Sequence, residues 1–318
     1  MSNEKYIEIV DEVDLKKIFL SLWKKKYFII TITSICAVIS VYVAINKPNI
    51  YKSSALVSIV ESSSGGGGVQ SSISQYSGLA SLAGISLPSS GGVDKTSLAI
   101  ETIRSRSFFK YLINKNEILP SLMAAESYDP KSNELTFNDE LYDPVLKIWL
   151  KDENNISTKP SYLESYEIYR SVISISKNPD TGYLLISVTS LSPFFAENLL
   201  SLILKETNEV TRNKDLLESN KAMEYLVSLS SQTTNTGVKN AINKIIDSQL
   251  ETQMLANINQ DYLLQSLDPP YVPEIKFAPS RSKIAILGTI TGCMISMFLV
   301  LLQAIYFLPK TTIKPYRE

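Results

Sequence analysis

The run Gly65 to Gly68 is the nearest this sequence comes to a phosphate cradle, in which successive backbone N–H groups hold an anion. Val69-Gln70-Ser71-Ser72 follows it, so the lysine and hydroxyl of GxxxxGK[ST] are missing. No GxGxxG opens a helix. The adjacent acids Asp139-Glu140 and Asp152-Glu153 read as solvated loop surface rather than as a carboxylate dyad. There is no histidine in the 318 residues, which removes His-based triads, the commonest general acid/base and the usual zinc ligands. An enzyme remains open on these residues, but none of them supports one, and no catalytic, cofactor-binding or metal site is expected.

Both cysteines, Cys36 and Cys293, fall inside long apolar runs, Tyr27 to Ile45 and Ile284 to Leu308, neither of which contains Asp, Glu, Lys or Arg. As helices the runs measure about 28 and 37 Å, against a hydrocarbon core of about 30 Å, so each is long enough to cross a bilayer, the second with tilt. A cleaved signal peptide fits the first run poorly: its leader is long, its apolar stretch exceeds the usual length and no small-x-small site follows. A charge-free run like the second is too long for most buried helices.

Lys24, Lys25 and Lys26 abut the first run and favour a cytoplasmic N-terminus; Lys310, Lys314 and Arg317 agree for the C-terminus. Lys47, Lys52, Arg281 and Lys283 on the outer flanks make the bias modest. The resulting plan is a cytoplasmic leader (1–26), a first transmembrane helix (27–45), a periplasmic body (46–283), a second transmembrane helix (284–308) and a short cytoplasmic tail (309–318), in a bacterial inner membrane. The body has no cysteine and must be held by its core, which suits a bacterial periplasm.

Within the body, YKSSALVSIVE (51–61) places Ala55, Val57 and Ile59 at alternating positions and predicts a strand. Residues 62–97 are rich in Ser and Gly and read as a loop, with the small apolar segment SGLASLAGI (77–85) docked. Asp94 is suited to cap a helix through LAIETIRSRSFFKYLI. Residues 114–160 read as loop, with a short helix around Val145 to Leu150. SVISISK (171–177), the turn NPDTG and YLLISVTSL (183–191) predict a hairpin.

After Pro193 no proline appears before Pro269, and the one glycine is Gly237, so a helical stretch broken at SSQTTNTG is expected. In its second arm Val238, Ile242, Ile246, Leu250, Met254, Ile258 and Tyr262 recur at every fourth position. A period of four exceeds 3.6, so the stripe winds around the helix and its ends face different neighbours. Two arms of about 30 to 40 residues would reach about 45 to 60 Å, longer than a compact base can cover, so an extended hairpin (about 193–267) with faces buried against other subunits explains this better than one amphipathic helix packed on its own core. The base comprises about 46–192 and 268–283. The fold class is therefore an α+β membrane protein: two transmembrane helices flanking a mixed α/β base and a long helical hairpin.

Pro269, Pro270, Pro273 and Pro279 force an extended, semi-rigid segment before the second span, suited to a sheet edge or to a connector that transmits the body's position to the span. In the span Gly288, Gly292 and Ser296 stand four apart, where small residues let another helix come close.

The stretch PYVPEIKFAPSRSKIAILGTITGCM resembles the signature of the bacterial Wzz family of polysaccharide chain-length determinants, P-x2-P-x4-S-P-x11-G-G-x-G. Pro270, Pro273, Pro279 and Gly292 match it; Ala278, Thr291 and Met294 depart from it. EVDLKKIFLSLWKKKYFI, SGLASLAGI, IETIRSRSFF and TGYLLISVTSLSPFFAENLL are similar to the family's leader, post-strand segment, helix and strand-to-helix passage. The resemblance implies a homo-oligomeric, bell-shaped ring whose helical hairpins point away from the membrane. It also implies a non-enzymatic regulator of O-antigen (lipopolysaccharide) chain length acting with a separate membrane polymerase. The expected partners are then other copies, the polymerase at Gly288 and Gly292, a lipid-linked glycan and the bilayer, with no nucleic acid. Relatives serving capsule or exopolysaccharide often carry a fused cytoplasmic kinase; the tail here ends ten residues past the span, so none is expected on this chain. The alternatives are a co-polymerase for capsule or exopolysaccharide with its kinase on another chain, and a periplasmic export adaptor, whose usual β-barrel modules do not appear. A membrane sensor would require a cytoplasmic output module after Leu308.

Overall fold

The computed structural model describes residues 23–60 and 94–306. The leader before Trp23, the glycine run with SGLASLAGI, and the tail carrying Lys310, Lys314 and Arg317 lie outside the described residues. In chain order the elements are α1 (Lys26–Asn46), β1 (Tyr51–Ile59), α2 (Lys95–Arg104), α3 (Arg106–Lys115), α4 (Leu119–Met123), β2 (Ala125–Asp129), β3 (Glu134–Phe137), β4 (Tyr142–Asp143), β5 (Ile148–Trp149), α5 (Tyr162–Val172), β6 (Ile173–Lys177), β7 (Leu184–Ser190), α6 (Pro193–Gln232), α7 (Thr236–Ile258), β8 (Leu264–Asp268) and α8 (Arg281–Tyr306). The described residues form two compact units, one within Ile50–Phe277 and one from residues 23–49 with 278–306.

In the larger unit a four-stranded antiparallel sheet has the order β6-β7-β1-β8. β1 alternates: Tyr51, Ser53, Ala55 and Val57 are buried and the residues between them are not, as a strand with one face on a core requires. Its register pairs Ala55 with Ile186 of β7, which in turn pairs with Ile175 of β6. The expected hairpin is present as β6 and β7, with Gly182 at φ 74 closing a turn in which its N–H bonds Asn178 O at 2.9 Å. Leu184, Ile186 and Val188 meet the buried face of α6, formed by Ala196, Leu199, Leu200, Ile203 and Leu204. Ser192 caps α6 by accepting from Phe195 N at 3.3 Å, with Pro193 in the first turn.

Three local features differ from the sequence reading. The helix expected after Asp94 is two helices: Asp94 caps α2, accepting from Thr96 N at 3.0 Å, but Ser105 ends it and caps α3, its hydroxyl accepting from Phe108 N at 3.1 Å. The helix expected around Val145 to Leu150 is instead the β4–β5 hairpin, in which Asp143 accepts from Val145 N and Leu146 N and Lys147 turns the chain at φ 55. Just after the stretch read as loop, where no element is expected, α5 begins at Ser161, which accepts from Glu164 N at 3.2 Å. Its tyrosines sit at one face: Tyr166 and Tyr169 donate to Arg104 O (2.6 Å) and Ile103 O (2.9 Å), and Tyr162 to Arg106 O. The Tyr166 and Tyr169 hydroxyls satisfy carbonyls that the end of α2 leaves unpaired, and Tyr162 reaches the first residue of α3; all three rings pack on Phe109. Burial raises the Tyr169 phenol above its ordinary pKa.

Beyond the sheet, α6 continues and pairs with α7, of 40 and 23 residues respectively, so the second arm is shorter than the 30 to 40 expected. Asn235 caps α7, accepting from Gly237 N at 2.9 Å. Ala241, Ile242 and Ala256 are the buried positions of α7. The fourth-residue stripe winds as its period requires: Ile242 is 4% exposed, whereas Leu250, Met254 and Ile258 are 42, 61 and 71% exposed.

Candidate functional site

The smaller unit consists of α1 and α8, packed antiparallel. The large apolar side chains of both helices point outward over most of their circumference, among them Ile30, Val38, Leu287 and Phe298, and few positions are buried. A helix apolar on all sides and exposed on most of them suits lipid rather than a protein core. Hydroxyls inside these helices are satisfied locally: Thr31, Thr33, Thr289 and Ser296 donate to Tyr27 O, Ile29 O, Ala285 O and Cys293 O.

The seam between the helices runs through the small-residue stripe. A Cβ built on Gly288 would lie 2.5 Å from Ser40 Cβ, and one on Gly292 would lie 2.5 Å from Cys36 Cβ, so only glycine fits at either position in this packing. Ser296 and Val300 extend the row, both fully buried. Ser40 Oγ donates across the seam to Ile284 O at 2.8 Å. Thr291, which departs from the family signature, is exposed and donates to Leu287 O and Gly288 O; Met294, another departure, is 67% exposed, so neither lies on this seam. The ends of the pair are tied by side chains: Lys25 donates to Gln303 Oε1, and Arg281 to Asn49 Oδ1 at 3.3 Å. Lys26 lies 5.4 Å from the ring centroids of both Trp23 and Tyr27, and Lys24 is exposed. Aromatic and lysine side chains together are typical of a membrane–water boundary.

In the larger unit β8 and the proline segment after it run along the edge of β1 opposite β7. Val60 N donates to Leu263 O at 2.9 Å, Ser53 Oγ to Tyr271 O at 2.7 Å, and Phe277 N to Ile50 O at 2.8 Å. Pro270 and Pro273 lie between these contacts; having no N–H, they leave the outer edge with fewer donors for a further strand. Pro279 follows Ala278 through a cis bond in the smaller unit.

Two side-chain groups that sequence reasoning missed hold α6 in place. Asn208, buried in α6, accepts from Leu263 N (2.9 Å) and Leu264 N (2.7 Å) and donates to Leu264 O (2.9 Å). Glu206, whose side chain is 2% exposed, accepts from Lys115 Nζ at 2.8 Å, and the same ammonium reaches Glu209 at 3.0 Å and Tyr111 Oη at 3.0 Å. Bonding to Glu206 holds the Lys115 pKa above its ordinary value. With the folded pKa raised, this contribution is complete below the unfolded lysine pKa of about 10.4 and fades only as pH rises through the folded value. Lys115→Met, which strands a buried carboxylate, is expected to lower unfolding stability by about 2 kcal/mol in denaturant titrations near neutral pH.

Among the described residues no three of His, Cys, Asp and Glu gather as a cation site. The family model described as "Wzz: Chain length determinant protein" matches residues 11–116, a third of the chain, from the leader through α3. The match ends before Pro270, Pro273, Pro279 and the glycines of α8. No curated protein matches this chain. A solved structure titled "full-length bacterial polysaccharide co-polymerase" is 12% identical, covers 95% of this chain and 100% of its own, and superposes with a TM-score of 0.37. Over its first apolar helix, β1, α2 and α3, this chain is matched to the Wzz family of chain length determinant proteins.

Proposed function

We propose that this protein regulates the length of O-antigen chains without itself being a catalyst, as an oligomeric ring in the bacterial inner membrane acting with a separate polysaccharide polymerase. The observation that carries the reading is the family match, which includes a membrane-length helix whose packing partner is the other such helix. Both termini are then cytoplasmic and the unit Ile50–Phe277 is periplasmic, as the lysines around α1 favour. Because the space beside Gly288 and Gly292 is filled by Ser40 and Cys36, respectively, of the same chain, their role in this reading is to set the spacing of each protomer's helix pair. The polymerase then meets the outward side chains of that pair.

The ring reading is supported by the winding stripe of α7, which leaves Met254 and Ile258 in solvent. A second copy covering that face would remove apolar surface from water, worth about 25 cal/mol per Å². Met254→Lys with Ile258→Lys is expected to shift the detergent-solubilised protein to smaller species in light scattering.

Function is tested by deleting the gene and resolving the cell-surface glycans by electrophoresis. Loss of a preferred O-antigen length, restored by the intact chain, is expected. An altered capsule or exopolysaccharide with an unchanged O-antigen ladder assigns the protein to that other export route instead.

A further inference from the structure

Along the edge of β1, Tyr271, Val272, Ile275 and Phe277 are 52, 37, 81 and 60% exposed, four large apolar side chains within seven consecutive residues. Single exposed apolar residues are ordinary, but a cluster calls for a partner. The covalent chain restricts where that partner is. Phe277 N is bonded to Ile50 O at 2.8 Å. Residues 47–49 separate Ile50 from the last residue of α1, and residues 278–280 separate Phe277 from the first residue of α8. At up to about 3.5 Å per residue, four steps reach about 14 Å, so this bonded pair stays within about 14 Å of one end of each membrane-length helix. The headgroup layer beyond the hydrocarbon is about 5 to 8 Å deep on each side.

We infer that Tyr271–Phe277 is an interfacial anchor, whose aromatic and aliphatic side chains enter the headgroup layer of the phospholipid bilayer that α1 and α8 cross. Lys52, with its ammonium 5.0 Å from the centroid of the Phe277 ring, supplies a cation for lipid phosphate. Glu274 and Lys276 within the segment offset each other in formal charge. Tyrosine, phenylalanine and isoleucine beside lysine are the residue types that settle at this depth. The prolines fit the same placement: a segment entering a water-poor layer gains from having fewer N–H groups to satisfy. The inference rests on α1 and α8 spanning the membrane, and not on chain-length control.

The test uses the full chain with Cys36→Ser and Cys293→Ser, reconstituted in phosphatidylethanolamine/phosphatidylglycerol nanodiscs containing spin-labelled lipids. Single cysteines carrying the fluorophore NBD are placed at Ile275, Phe277, Ile39 and Asn235 in turn. The expected result is a blue shift with loss of fluorescence to headgroup-proximal spin labels at positions 275 and 277, loss to deep labels at 39, and neither at 235. Quenching at 39 with none at 275 and 277 overturns the anchor while the spans stand. No quenching at 39 overturns the spans themselves, and the anchor with them.

Discussion

Replacing Gly288 and Gly292 together by leucine is expected to force α1 and α8 apart and to change the length distribution of the surface glycan. The Cβ atoms alone would sit 2.5 Å from the Cβ atoms of Ser40 and Cys36, before any further leucine atom is placed. Antiparallel helices meeting through a small-residue seam have no bulky side chains there that could rotate away, so the axes themselves must separate. Separation also breaks the Ser40 to Ile284 bond, worth about 1 kcal/mol between membrane helices. A paired substitution distinguishes lost spacing from general misfolding. Ser40→Gly vacates the space that Gly288→Ala needs, so the double variant is expected to recover toward wild type when Gly288→Ala alone does not. A sugar ladder unchanged by the double leucine variant contradicts the role proposed for the helix pair.

The second large effect is expected at Asn208. Leucine of similar volume keeps the helix and the packing but leaves Leu263 N, Leu264 N and Leu264 O without their bonds in a buried place. Each stranded group costs about 1 to 3 kcal/mol, so Asn208→Leu is expected to lose about 4 kcal/mol overall. Domains are stable by about 5 to 15 kcal/mol, which makes this a large share. Denaturant unfolding of the purified protein followed by circular dichroism measures it. A loss under about 1 kcal/mol would mean that water replaces the asparagine and that β8 is not pinned by α6.

The difference between what was readable in the sequence and what was not follows the range of the interactions. β1, β6 and β7 were readable because alternation of apolar residues is a property of the strand itself, and the NPDTG turn carries its own dihedral instructions. The small-residue stripe of α8 was readable from its spacing. Its counterpart was harder to read: the facing row of α1 is also small, with Thr33, Cys36 and Ser40, but Thr31 and Ser34 are small residues on the exposed side, so composition alone does not single out that row. Asn208 was invisible because a polar residue in a helix reads as solvent-facing until the strand that begins 56 residues later is in place. The break at Ser105 and the hairpin at Lys147 were misread because a capping serine and a non-glycine residue at positive φ interrupt patterns that otherwise look helical. Helix α5 was legible in principle, since Ser161 and Glu164 have capping-box spacing and Tyr162, Tyr166 and Tyr169 share one helical face.

Chain-length control from a membrane-anchored ring requires the unit Ile50–Phe277 to lie outside the cytoplasm between two spans. Cysteines at Lys151 and Asn235, in a chain with Cys36→Ser and Cys293→Ser, report this directly through a maleimide that enters the periplasm but does not cross the inner membrane. Labelling of both positions in intact spheroplasts is the predicted result; labelling that appears only after the inner membrane is lysed contradicts it.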